Sequence, residues 1–155
     1  MPRILIPIET ALGETRVAAT PETVKKLISI GFSVSIQKKA GLSAGFSDES
    51  YSSAGAELCS SIDVDFLKQI DLVLCVNAPD REFLLMLKVG TLVVGLLAPY
   101  GNKVIADCLE SASLSSLSLE LLPRISRAQP SDALSSQANI AGYKAVLLAA
   151  SALDR

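Results

Sequence analysis

Arg124, Arg127, Gln129, Asp132 and Ser135 fall together in the segment LPRISRAQPSDALSSQANIAGYKAVLLAA, residues 122–150. Guanidinium and amide groups donate hydrogen bonds there, while a carboxylate and a hydroxyl accept them. Such a set can hold one flat polar ligand that carries donor and acceptor groups side by side. The rest of the chain narrows the chemistry. There is no histidine, which removes Ser-His-Asp and Cys-His catalysis. Cys59, Cys75 and Cys108 lie far apart without a C-x-x-C pair, so a zinc site is not expected and buried reduced thiols are. No G-x-G-x-x-G and no G-x-x-x-x-G-K-[ST] occurs, so the chain carries neither a dinucleotide fingerprint nor a P-loop of its own.

The polar stretch needs a stiff loop and a helix to position it. Pro123 and Pro130 fix φ and remove donors. Ser131 or Asp132 is a suitable N-cap, since either side chain can accept from the first free N–H groups. From Ala133 onward there is no proline. Leu134, Ala138, Ala141, Ala145, Leu148 and Ala152 recur at helical spacing, predicting one long helix with a face of small residues. Its N-terminus carries partial positive charge suited to an anion or a polar ring substituent. The competing reading is an ordinary surface loop that caps a core helix, with two solvated arginines.

Before this segment, short apolar runs alternate with helical patterns. Strands are expected at 3–8, 32–37, 56–59, 71–76, 91–96 and 117–121. Thr20-Pro21-Glu22 reads as a helix start: N-cap, proline at the first helical position, acid in the first turn. Val24, Leu27 and Ile28 form its buried face and Gly31 closes it. Further helices are expected at 47–54, 80–87 and 103–112, and Gly41 to Gly45 reads as a tight turn. The runs at 71–76 and 91–96 are apolar enough for strands covered on both faces. Repeated β–α alternation predicts an α/β fold: an open, mostly parallel sheet with helices on both faces, a Rossmann-like or flavodoxin-like three-layer arrangement. Residues 1–155 are expected to form a single domain.

The formal net charge of −2 offers no electrostatic case for nucleic acid. Half the residues are hydrophobic and the mean hydropathy is positive. Yet no run approaches a membrane span, and the opening MPRILIPIE lacks the layout of a signal peptide. This excess apolarity predicts a surface that something else covers.

Three segments carry a resemblance: ILIPIETALGETRVAATPETVKKLISIGFSVSIQKKAG, LVLCVNAP and PRISRAQPSDALSSQANIAGYKA. They resemble the N-terminal region of the α subunit of proton-translocating NAD(P) transhydrogenase, a domain type shared with alanine dehydrogenases. The resemblance runs from end to end. It implies one half of a soluble NAD(H)-binding component, with the following Rossmann subdomain absent from this chain. NAD(H) would lie in the cleft between the two. It further implies hydride transfer between NAD(H) and NADP(H) coupled to proton translocation, with NADP(H) on a partner component. A homodimer, peripheral to the inner membrane on the cytoplasmic side as part of a membrane complex, would be expected. Neither metal nor nucleic acid is implied, and the isolated domain would be inactive. By the same resemblance Arg124, Gln129, Asp132 and Ser135 hold the nicotinamide end of NAD(H). Ser126, Arg127 and Ser136 are weaker members of the same loop, equally readable as solvated or capping groups.

The two branches of that family separate on chemistry. Oxidative deamination of alanine needs groups that bind a carboxylate and move protons. Alanine dehydrogenases use an arginine, a lysine and a histidine, at positions matching Arg16, Cys75 and the vicinity of Ala98. Two of the three are gone. Hydride transfer between two nicotinamides needs positioning and no side-chain acid or base. A transhydrogenase component is therefore expected. A diverged amino-acid dehydrogenase and a stand-alone, non-catalytic binding domain are the alternatives. Transhydrogenases often keep a lysine where Cys75 stands, and Arg16 is read as a structural residue paired with Glu9 or Glu14.

Overall fold

A computed structural model describes residues 1–153, which form two compact units divided after Ser118. The first holds a six-stranded, all-parallel sheet. Its strands are β1 (Arg3–Ile6), β2 (Ser33–Gln37), β3 (Glu57–Cys59), β4 (Leu72–Asn77), β5 (Leu92–Leu96) and β6 (Ser115–Ser118). Their spatial order is β3-β2-β1-β4-β5-β6. This is the doubly wound Rossmann order, in which the chain reverses direction across the sheet between β1 and β4. Of the two three-layer arrangements expected, the strand order selects this one.

Alternation along β1 shows how the layers form. Ile4 and Ile6 pack on one face with Val24 of α1 (Pro21–Ser29) and Tyr51 of α2 (Asp48–Ser53). Leu5 points to the other face, with Leu67 of α3 (Val64–Leu67), Leu84 of α4 (Arg81–Met86) and Ile105 of α5 (Lys103–Ser111). The helix starts follow local chemistry. Thr20, Ser47, Asp63, Asp80 and Asn102 each accept from a backbone N–H of the first turn. Gly31, at φ +100°, ends the α1 region with a conformation costly to any residue bearing a Cβ.

Gly41 has a different reason for being glycine. A Cβ placed there would lie 2.5 Å from Cε2 of the Tyr51 ring. Tyr51 is fully buried, and its hydroxyl donates to the Ala19 carbonyl at 2.9 Å. Tyr51→Phe leaves that buried carbonyl without its partner. Chemical denaturation should show a loss of about 1–2 kcal/mol; an unchanged midpoint would mean water replaces the hydroxyl.

Three expectations need correcting. The last strand spans Ser115–Ser118 rather than 117–121, and Leu119–Leu121 is a 3-10 turn. The leucines suggest burial there, but register with β5, Leu92 opposite Ser115 through Gly95 opposite Ser118, selects the serine-rich segment at the sheet edge. Second, neither β4 nor β5 is covered equally on both faces: Val73, Cys75 and Val93 are buried, whereas Leu72, Leu74, Leu92, Val94 and Leu96 are only partly so. Third, α3 has no counterpart in the sequence pattern, because one helical turn is too short for periodicity to register.

The second unit begins at Leu119. It contains the 3-10 turn Gln129–Ser131 and the 20-residue helix α6 (Ala133–Ala152). No residue of α6 is buried, and Ile140, Tyr143, Val146, Leu147 and Leu148 are exposed. An apolar helix left uncovered is the kind of surface that the high hydropathy predicts. Among the described residues, no helix is long and apolar enough to cross a membrane.

Candidate functional site

The polar loop lies within the second unit. Pro123, Arg124, Ile125, Ser126, Gln129, Asp132 and Ser135 line one concavity of about 340 Å³. Arg124, Gln129, Asp132, Ser135 and Ser126 therefore share one surface. Arg127 and Ser136 do not line it. Ser136 instead donates its hydroxyl to the Asp132 carbonyl at 3.2 Å, a capping role within the first turn of α6.

Of the two N-cap candidates, the structure selects Asp132. Its Oδ1 accepts from the Ser135 N–H at 3.0 Å, and its Oδ2 from the Ser135 hydroxyl at 2.6 Å. Those bonds from Ser135, with the nearby charge of Arg124, hold the Asp132 carboxyl below its ordinary range. Asp132 is thus an ionised acceptor at neutral pH. Because the Ser135 hydroxyl directs its proton at Asp132, the oxygen retains lone pairs that can accept from a ligand. The concavity presents a guanidinium and an amide as donors, with a carboxylate and a hydroxyl oxygen as acceptors. That donor set fits a carboxamide, which needs both at once.

The first unit holds a second polar site at the carboxyl ends of β1 and β4. There a crevice of about 280 Å³ is bounded by Pro7, Glu9, Cys75, Asn77, Asp80 and Phe83, among others. It lies at the sheet's topological switch point, the usual ligand position in open α/β sheets. Arg16 pairs with Glu14: Nη2 donates to Oε2 at 2.6 Å, and Nε to Oε1 at 2.8 Å. Asn77 Nδ2 adds a bond to Glu14 Oε2 at 2.8 Å. These donors, Arg16 foremost, lower the Glu14 carboxyl from 4.5 to about 2 against the opposing effect of burial. A depressed acid stabilises the fold above its unfolded pKa and loses that contribution as pH falls through the folded value. Acid unfolding should therefore show a stability loss between about pH 4.5 and 2 that Glu14→Gln reduces, the remainder coming from other depressed carboxylates such as Asp71. The variant should be roughly 2 kcal/mol less stable at pH 7. A pH profile parallel to the wild type's would exclude Glu14 as the cause.

Cys75 is buried, and its thiol donates to the Val94 carbonyl at 3.4 Å. Burial, aided by the negative charge of Glu9, pushes the thiol up to about 12. It is a poor nucleophile and a packing residue. Cys59 and Cys108 are likewise buried and free. Ala98 adopts φ +48° just beyond β5. The sequence suggests Glu9 only as a partner for Arg16. In the structure its carboxylate accepts from the Val76 and Asn77 N–H groups, at 2.6 and 3.0 Å. No local pattern announces that role, because the partners lie across the sheet.

An open, all-parallel six-stranded sheet in Rossmann order places the chain among the doubly wound α/β proteins, with a crevice at the switch point of the first unit and a polar concavity in the second. The chain belongs to the alanine dehydrogenase/PNT N-terminal domain family, whose model matches residues 5–141. It is 39% identical over 145 residues to the NAD(P) transhydrogenase subunit alpha of Haemophilus influenzae, covering 94% of this chain and 28% of that protein. It is 38% identical over 153 residues to the NAD(P) transhydrogenase subunit alpha of Cereibacter sphaeroides, covering 99% and 29%. A solved transhydrogenase from Sinorhizobium meliloti superposes with a TM-score of 0.91 at 39% identity, over 99% of this chain and 45% of that one. An L-alanine dehydrogenase structure matches more distantly, with a TM-score of 0.70 at 27% identity over 76% of this chain and 32% of that one. The chain thus spans less than half the length of these transhydrogenase relatives.

Proposed function

We propose that this chain is the N-terminal portion of a transhydrogenase α subunit and supplies the loop that orients the nicotinamide of NAD(H). The observation that carries this reading is the shared concavity of Arg124, Gln129, Asp132 and Ser135, which pairs donors with acceptors and whose one carboxylate is held ionised by Ser135. Bound there, NADH would supply the hydride that NADP⁺ on a partner component accepts, in a reaction coupled to proton translocation. The chain's own residues bind and orient. Arg124 and Gln129 would hold the carboxamide as donors, and Asp132 and Ser135 as acceptors. Ser126 borders the same concavity, which Arg127 does not line. Ser136 supports Asp132 through its carbonyl. Positioning of this kind accelerates a transfer that needs no side-chain proton.

Partners follow from the same reading. The exposed apolar face of α6 would be covered in the whole protein by a following Rossmann subdomain, so that the two described units act as one N-terminal subdomain. The α subunit would form a homodimer, peripheral to the inner membrane on the cytoplasmic side and assembled with NADP(H)-binding and membrane components. The dehydrogenase alternative lacks support at the crevice, where a buried thiol stands at the lysine position and Arg16 is paired with Glu14.

Asp132 offers a test that separates capping from binding. Asp132→Asn keeps a good N-cap but removes the charge, whereas Asp132→Ala removes both. In the full-length subunit, NADH fluorescence titration should show affinity weakened about tenfold in both variants. Circular dichroism should show loss of α6 helicity in Asp132→Ala alone. Wild-type NADH affinity in Asp132→Asn would refute a binding role for the carboxylate.

A further inference from the structure

The donors and acceptors of the loop concavity hang on a backbone that packing does not hold. None of residues 123–132 is buried. Their order comes from a chain of short turns. The Ile125 N–H donates to the Pro123 carbonyl, the Ala128 N–H to the Ile125 carbonyl and the Ser131 N–H to the Ala128 carbonyl, each at 2.9 Å. The last bond of the series joins two residues of the concavity itself: the Asp132 N–H donates to the Gln129 carbonyl at 3.2 Å. Pro130 stands between them, within the 3-10 turn Gln129–Ser131. In the turn closed by that bond it holds the second position, which favours proline because its ring already fixes the φ required there.

Pro130 is exposed, has no N–H to donate and does not line the concavity. Any effect on a ligand must therefore pass through its neighbours. We propose that Pro130 is a positioning residue of this site: it fixes the turn that sets the Gln129 amide against the Asp132 carboxylate, so the loop is ordered before its ligand arrives. The far end of the turn is already anchored, because Asp132 caps α6 through its two bonds from Ser135. Pro130 carries that anchorage back to Gln129. Without the ring, an exposed turn would have to be ordered on binding, and ordering backbone weakens affinity. The inference rests on the nicotinamide reading of the loop and deepens it.

The test is a double-mutant cycle in the full-length α subunit, with NADH binding followed by fluorescence. Pro130→Ala should weaken NADH binding about threefold and Pro130→Gly about tenfold, in the order of the freedom each returns to the turn. ADP-ribose, which lacks the nicotinamide, should bind all three proteins alike. In a Gln129→Ala background the step from Pro130 to glycine should shrink to about threefold or less, because one of the groups it positions is gone. A merely structural role would give the same step in both backgrounds and would weaken ADP-ribose as well; either result overturns the proposal. Wild-type NADH affinity in Pro130→Gly also overturns it. The nicotinamide reading then survives if Gln129→Ala weakens NADH binding, and falls with the proposal if Gln129→Ala binds normally. Should the glycine variant fail to fold, the same cycle with Pro130→Ala decides: the threefold step must vanish in the Gln129→Ala background, and its persistence there overturns the proposal.

Discussion

Arg124→Ala in the full-length α subunit, assembled with its partners, is expected to slow hydride transfer from NADH about 100-fold. Arg124 brings the only guanidinium among the residues lining the loop concavity, and its charge helps keep Asp132 ionised. Alanine removes the fork that would fix the carboxamide and leaves Asp132 without that field. With the carboxamide free to rotate, the ring would present a range of distances to the acceptor, and small misplacements cost large factors in rate. Because the contact would act on the bound ring as well as on the transition state, the Michaelis constant for NADH should rise while kcat falls. Arg124→Lys keeps the charge without the planar fork and should recover only part of the rate. Steady-state transhydrogenation with a nicotinamide analogue as acceptor measures both. Full activity in Arg124→Ala would remove the loop from the site.

Gly95→Ala should be the most destabilising single methyl addition in the sheet, at about 3 kcal/mol. A Cβ at Gly95 would lie 2.6 Å from the Cys75 carbonyl oxygen and 2.7 Å from its Sγ. One of those atoms is backbone in the middle of the sheet, so the strain cannot be relieved by turning a side chain. Gly95 lies beside the stretch of β4 where the β4–β5 register shifts between Leu74 and Asn77. Cys75→Ala removes the sulfur clash but leaves the carbonyl one. The double variant should therefore recover only part of the lost stability in a denaturant cycle. Complete recovery would mean that only the sulfur sets the requirement for glycine. The same displacement should perturb the Val76 and Asn77 amides that hold Glu9, linking a packing defect at β5 to the crevice.

Features that depend on near neighbours in the chain can be read directly from its letters. Thr20-Pro21-Glu22 specifies the start of α1, Ser47 that of α2 and Asp80 that of α4, because an N-cap bonds to an amide three residues on. The proline-free run after Asp132 specifies α6. β–α alternation carries the layered sheet, and the short polar loop is legible because its residues sit on one stiff turn and the following cap. The last strand is not legible in this way: leucines at 117–121 suggest burial, but an edge strand takes its identity from register with β5. The need for glycine rather than alanine at 41 and 95, the register shift between β4 and β5 and the anchoring of Glu9 emerge only once the chain has folded. Glu9 and its amide donors are 67 and 68 residues apart in the chain. Capping and periodicity act over a few residues and leave their mark in adjacent letters. Steric exclusion and hydrogen bonding across a sheet act between segments that only folding brings together.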